Sequence, residues 1–392
     1  MQPKNLFALD LGTTKFCIAA LLWEHNKPKL RIIDVPADGM HRGMVCDFTK
    51  AEKCLKELIE KVERELDITL ERVVVGVAGS HLRSRIVQHS LPIQRHPCQS
   101  RHLRRLLEEV EVAEENPFRE LLHCVPIGYK IDQREETDNP LGFTGSQVSG
   151  RYFVIDSDKD YLKDLIRICN ANGLEVQRLY SEPFASASVS VDDEAKRLGL
   201  AVADIGGGTT DGIVFQNGKP VSAFTINIAG SMMSKDLAVG LNTTLSEAEA
   251  IKHRFGISFY SEPKELRHEL DPLAKKVFVI LGSRIHELGS HLANDLKDFR
   301  GLLGAGIQLT GGGSQVIGID KFLSDRFKVQ VSVQKPQLPL KDCENLALNS
   351  RYATAIGLLN LELGRSKTLE SEHGSWSKRY LDQFVNWIRE LS

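Results

Sequence analysis

The sequence predicts an α/β protein of two duplicated lobes, and three observations carry that prediction. The chain has 392 residues, more than one compact core ordinarily organises. The segments LDLGTTKFCIAAL at 9–21 and VADIGGGTTDGIVF at 202–215 repeat one pattern: an acidic residue near the end of an apolar strand, a Gly/Thr turn, then a second apolar strand. Two such units about half a chain apart point to a repeated domain with a ligand between the halves. A third glycine turn, TGGGS at 310–314, follows the apolar run 305–309.

The elements follow in order. Residues 5–11 and 16–22 are apolar runs broken by Gly12, Thr13, Thr14 and Lys15, which reads as a β-hairpin. Apolar residues recur at helical spacing over 50–66, and 73–77 is a short buried strand. The texture changes near Ser84. Residues 95–123 are rich in Arg, His and Glu, with helical periodicity from Leu103 to Val112, and strand-like runs follow at 123–131 and 151–156 around a loop at 132–150. Segment 84–157 is therefore expected to be an inserted subdomain. A helix over 160–172 ends at Gly173. Strands 200–205 and 212–215 flank the second glycine turn, and Asn217-Gly218 marks the next hairpin. Helices are expected over 231–240, 245–254 and 272–299.

Composition narrows the class. Fifty Lys+Arg against fifty-two Asp+Glu leave a net charge of −2, without the basic excess of a nucleic-acid binder. Asp10 interrupts the N-terminal apolar run, so no signal peptide is expected, and no stretch reaches 18 uninterrupted apolar residues. The seven cysteines form no CxxC and read as reduced cytosolic thiols. No histidine metal site is expected.

The glycine turns suit phosphate. Glycines let backbone N–H groups approach an anion, and Thr hydroxyls add donors. Asp10 and Asp204 are placed to hold a hydrated Mg2+, which prefers carboxylates through water plus phosphate oxygens. Lys15 would offset phosphate charge. One such turn reads equally as a plain tight hairpin; two with matching acids, and a third beyond them, favour the ligand.

At this point the residues carry a resemblance. LDLGTTK, VADIGGGTTD and LTGGGSQVIGI resemble the phosphate-1, phosphate-2 and adenosine motifs of the actin, heat-shock chaperone and sugar-kinase superfamily. Ser181 to Ala185 resembles its first connecting helix, Tyr352 to Gly357 its second, and Glu249 to Lys252 the helix that contacts ribose and base. The resemblance implies an actin-like fold binding ATP and Mg2+. Asp10 and Asp204 would hold the metal through water. Gly12, Thr13, Thr14, Lys15, Gly206, Gly207, Gly208 and Thr209 would contact the β- and γ-phosphates. Gly311, Gly312 and Gly313 would back the adenosine, and Glu249 and Lys252 would meet ribose and base. Glu182 matches the glutamate that positions the attacking water in active ATPases of the fold. It reads equally as a helix-start carboxylate followed by Pro183 at the first helical position. Hydrolysis is accordingly left open.

The C-terminus singles out one branch. Residues 364–375 are polar and aperiodic and read as a flexible linker. Beyond them, at 100° per residue, Trp376, Tyr380, Phe384, Trp387 and Leu391 share an arc of about 80°, which Ile388 and Leu381 widen to about 140°. Such a helix suits a membrane interface, where Trp is favoured; docking on protein is the alternative. Together with Arg42 to Asp47 and segment 84–157, this tail resembles the FtsA family of cell-division proteins. The resemblance implies subdomain 1A at 1–83 and 158–200, 1C at 84–157, 2A at 201–230 and 301–363, and 2B at 231–300. It further implies a polymer that holds the FtsZ tail through 2B, recruits later division proteins through 1C, and lies on the cytoplasmic face of the inner membrane at the division site. The rivals are an FtsA-like pilus-assembly protein, a small-molecule kinase and a chaperone. The tail argues against the first, no sugar-facing aspartate is found for the second, and no chain remains for the third's substrate domain.

Overall fold

The computed structural model describes residues 5–25, 27–261, 271–340 and 349–371. The first lobe opens with β1 (Leu6–Leu11), β2 (Lys15–Glu24), β3 (Lys27–Pro36), the short ribbon β4 (Met40–His41) and β5 (Met44–Val45), α1 (Phe48–Leu66) and β6 (Arg72–Val77). The insertion follows as β7 (Arg83–Pro92), α2 (Ser100–Ala113), β8 (Arg119–Ile131) and β9 (Gln147–Asp158). Then come α3 (Lys159–Ala171), β10 (Glu175–Ser181), α4 (Glu182–Ser190) and α5 (Asp193–Leu198). The second lobe has β11 (Leu200–Ile205), β12 (Thr210–Gln216), β13 (Lys219–Ile226), α6 (Gly230–Leu241), α7 (Leu245–Phe255), α8 (Ser258–Ser261) and α9 (Pro272–Asp295). It continues through β14 (Ile307–Thr310), α10 (Ile319–Phe327) and β15 (Val331–Val333), and the last described element is α11 (Ala353–Ser371).

The two large sheets are copies of one plan. Their strand orders are β3-β2-β1-β6-β10 and β13-β12-β11-β14-β15. In each, the first three strands in sequence form an antiparallel meander, and the other two add in parallel. Asp10 and Asp204 occupy the same place, one residue before the end of the first strand, opposite Cys17 and Asp211. The insertion is a separate antiparallel sheet, β7-β9-β8, with α2 burying Leu106, Leu107 and Val110 on it.

Side-chain alternation explains the layers. On β1, Leu9 and Leu11 face a core with α1 and α3, whereas Ala8 faces α4 and α11. Of the residues at helical spacing, Leu55, Leu58, Ile59 and Val62 are buried and Leu66 is half-buried, and Asp47 caps α1 by accepting the Lys50 N–H at 3.1 Å. Small residues dominate the α4/α11 face because two helices lie close there. A Cβ on Gly357 of α11 would stand 2.0 Å from the Ala185 oxygen of α4.

Three expectations are revised. Residues 353–363 do not belong with the second lobe: Ala355, Ile356, Leu358 and Leu359 of α11 are fully buried against Ala8, Ala19, Leu21 and Val74 of the first sheet. The final helix thus returns to the first lobe, since its apolar side chains find there the face that α1 and α3 leave uncovered. Among the described residues, those of 231–300 do not form a core of their own. Met233, Leu237, Val277, Leu281 and Ile285 join one cluster with Ala203 and Ile205 of the second sheet, so α6, α7 and α9 are a helical layer on that sheet. Finally, 364–371 continues α11 as helix instead of coil. The rest of the linker and the amphipathic segment from Trp376 onward lie outside the described residues. Among the described residues no helix is long and apolar enough to cross a membrane.

Candidate functional site

The two Gly/Thr turns meet between the lobes. The second is closed by the Gly206 N–H donating to the Thr209 oxygen at 2.9 Å. A Cβ on Gly208 would lie 2.2 Å from Thr13 Oγ1, and one on Gly207 would lie 2.6 Å from Thr14 Oγ1. Only glycine permits that approach. The effect is a cradle of backbone N–H groups and Thr hydroxyls at the lobe boundary, of the kind that receives phosphate.

Carboxylates crowd the floor of this cradle. Asp10, Asp204 and Asp211 are buried, and Glu182 is half-buried at the start of α4. Glu182 lies against Gly76, where a Cβ would come 2.8 Å from its Oε1. Burial, then the charges of Asp10, Asp211 and Asp204, push the Glu182 carboxyl well above its ordinary range, with Lys15 opposing. Asp204 is pushed up to about 7 by burial and by Asp211 and Asp10, against the hydroxyl of Thr354, which donates to it at 2.9 Å. Burial also raises Asp211, although Thr225 and Thr209 donate to it at 2.6 and 2.7 Å. Lys15 is ion-paired with Asp10. Burial disfavours its charge, but Asp10, Cys17 and Glu182 together raise the amine above its usual value.

This donor set fits a hydrated divalent cation. Four carboxylates face one lysine, and this crowding adds to burial in pushing Asp204 and Glu182 toward their neutral forms. Such a cation prefers to keep its waters and to be held by carboxylates through them, together with phosphate oxygens; among the described residues no three His, Cys, Asp or Glu are set to hold a metal directly.

The third turn lies beside the second. Gly311 has φ +81, and a Cβ there would meet Asp204 Oδ1 at 2.1 Å. A Cβ on Gly230, at the start of α6, would lie 3.7 Å from the Gly313 Cα and 3.8 Å from Lys252 Nζ. Lys252, buried, donates to Glu249 at 2.7 Å and to Ser234 at 2.9 Å, and the Ser234 hydroxyl donates to Glu249. Glu249 and Lys252 of α7 therefore lie close to the Gly311–Gly313 turn, with Gly230 of α6 between them.

Some neighbours were not singled out from sequence. Asp211 and Thr354 stood inside the quoted motifs, but only the β11–β12 register sets Asp211 opposite Asp204, and only the packing of α11 brings the Thr354 hydroxyl to it. His123 of β8 gave no signal. It is buried, and its Nε2 accepts the Ser181 N–H at 2.9 Å, just before α4. Its ring lies 4.7 Å from that of Phe184. Burial pushes it down to about 3, so it remains the neutral acceptor. Trp376, Tyr380, Phe384, Trp387, Ile388 and Leu391 lie outside the described residues.

Comparison with known proteins bears on the family and the fold. The family model for the cell-division protein FtsA matches residues 201–357, and that for the SHS2 domain inserted in FtsA matches 79–155; together they cover more than half of the chain. The chain belongs to the FtsA family. The cell-division protein FtsA of Neisseria meningitidis serogroup B is 28% identical, over 99% of this chain and 98% of its own. Among solved structures, the PilM–PilN type IV pilus biogenesis complex matches with a TM-score of 0.64 at 20% identity, over 91% of this chain and 98% of that one. MreB5 of Spiroplasma citri bound to ADP matches with 0.55 at 14%, over 95% and 100%. The protein is thus an actin-like cell-division protein of the FtsA family, and its insertion is that family's SHS2 domain.

Proposed function

We propose that this FtsA-family protein binds ATP with Mg2+ between its lobes, polymerises, and tethers FtsZ to the cytoplasmic face of the inner membrane. The observation that carries the nucleotide reading is the meeting of three glycine turns, from two copies of one sheet plan, over buried carboxylates. Asp10 and Asp204 would hold the cation through water. Gly12 to Lys15 and Gly206 to Thr209 would hold phosphates, Gly311 to Gly313 would back adenosine, and Glu249 and Lys252 would meet ribose and base. Glu182, if water attacks the terminal phosphate, is the carboxylate that would position it. Lys15 would exchange part of its pairing with Asp10 for the incoming phosphate charge.

The membrane reading rests on the apolar arc Trp376, Tyr380, Phe384, Trp387, Ile388 and Leu391 at the end of the sequence. The helical layer 231–300 would take the FtsZ tail, and the insertion would take later division proteins. The test is liposome co-sedimentation of the full chain and of a chain ending at Gly364, each with ATP and FtsZ. Pelleting of FtsZ that requires the tail is expected. A second reading, assembly on a short peptide of a membrane protein, is favoured by the fold match to the pilus complex; failure of the full chain to pellet would leave that reading standing.

A further inference from the structure

The segment Arg42 to Asp47, noted in the sequence, has so far no part in the site. Its β4–β5 ribbon pairs Met40 with Val45 and His41 with Met44, leaving Arg42-Gly43 as a two-residue loop. Both have positive φ, 51° and 76°, as tight hairpin loops of this length require. Glycine takes that backbone freely, but an arginine there is strained. Strain of this kind persists where the surroundings impose it and collects at functional sites.

The surroundings here are the phosphate cradle. A Cβ on Gly208 would lie 3.1 Å from the Arg42 backbone nitrogen, and one on Gly43 would lie 2.7 Å from the Ala78 oxygen. The hairpin tip is thus wedged between the loop after β6 in the first lobe and the second glycine turn in the other lobe. Arg42 is half-buried. Neither a hydrogen bond nor an ion pair engages its guanidinium among the described residues, in contrast to Arg85, Arg119, Arg284 and Arg351. The charge balance calls for a cation at this place. Asp10, Glu182, Asp204 and Asp211 meet one lysine, already paired with Asp10. A divalent cation offsets part of the deficit, but a triphosphate adds further negative charge.

We propose that Arg42 is the residue that reads the terminal phosphate: with ATP in the cleft its guanidinium takes the third phosphate group over the Gly206–Thr209 turn. The β4–β5 hairpin, which touches both lobes, is thereby fixed in one position with ATP and released with ADP. Arginine suits this task because its planar head makes paired hydrogen bonds to phosphate and stays charged. The inference rests on the nucleotide reading above.

The experiment measures ATP·Mg2+ and ADP·Mg2+ dissociation constants for the full chain, Arg42→Asn, Arg42→Lys and Asp204→Ala, with melting temperatures without nucleotide as a fold check. Asn removes the cation yet accepts positive φ. Arg42→Asn is expected to weaken ATP about ten- to hundredfold, the range of a hydrogen bond to a charged group, and to leave ADP nearly unchanged. Arg42→Lys should fall between. The ATP-to-ADP ratio is the readout, because a structural loss weakens both nucleotides alike. Equal losses, or none, overturn the assignment. If Asp204→Ala loses ATP while Arg42→Asn keeps it, the nucleotide reading stands and Arg42 falls. A wild-type chain that binds neither nucleotide overturns both.

Discussion

Glu111 shows how one buried acid ties stability to pH. It is half-buried on α2, and burial with the neighbouring Glu108 charge pushes its carboxyl up to about 7 from 4.5. A raised acid leaves stability intact below its unfolded value, and that stability is lost as pH rises through the folded one. The cost therefore develops between pH 4.5 and about 7 and is complete above that. Glu111→Gln is expected to stabilise the protein by on the order of 2 kcal/mol at pH 8 and to change nothing at pH 4; urea unfolding at the two pH values decides. At the same scale, the site's acids were legible because a carboxylate ending an apolar strand beside a glycine turn has few structural uses. His123 was not legible. Its partner is a backbone N–H 58 residues away, and no local pattern encodes such a pair.

The elements whose partners are sequence neighbours were the readable ones. The β1–β2 and β11–β12 hairpins declare themselves by apolar runs around a turn, and α1 by its period. Strands β7 and β10 went unremarked. β7 is largely exposed, with only Leu91 buried, so it lacks an apolar run, and β10 pairs in parallel with a strand about a hundred residues earlier. The α4–α11 crossing is the element-level feature that joins the lobes. α4 places Ala185 and Val189 in the core under the first sheet and Ala187 in the core under the second. Gly357→Ala would force a Cβ into the Ala185 carbonyl and is expected to cost about 1–3 kcal/mol. A thermal melt showing no loss would mean that the two helices separate freely. Since α4 begins at Glu182, the same variant should also weaken nucleotide binding.

At the scale of the whole molecule, two sheets of identical plan carry a helical layer on one lobe and the SHS2 insertion on the other, held together by two crossing helices. The insertion also touches the second lobe: Ser84 accepts the Ala223 N–H at 2.9 Å and donates to the Ala223 oxygen at 3.0 Å. Ile127, Phe153 and Ile155 pack with Leu200 and Val202. The insertion is therefore in contact with both lobes. The tail acts at this scale too. Trp387→Glu places a charge on the expected apolar arc and is expected to abolish vesicle sedimentation while leaving the melting temperature unchanged; sedimentation that survives would assign the tail to a protein surface.

The sequence by itself determined the duplication, the three glycine turns and the acids beside them. Each is a short-range pattern, set by alternation along a strand or by the backbone freedom a turn needs. Tertiary structure alone decided that α11 covers the first sheet, that the described part of 231–300 is a layer without its own core, and that Arg42 stands at the second glycine turn. An apolar face states that it must be covered but not by what. The choice of cover is made by shape, by the length of chain available and by which other face remains open, and these exist only once the chain has folded.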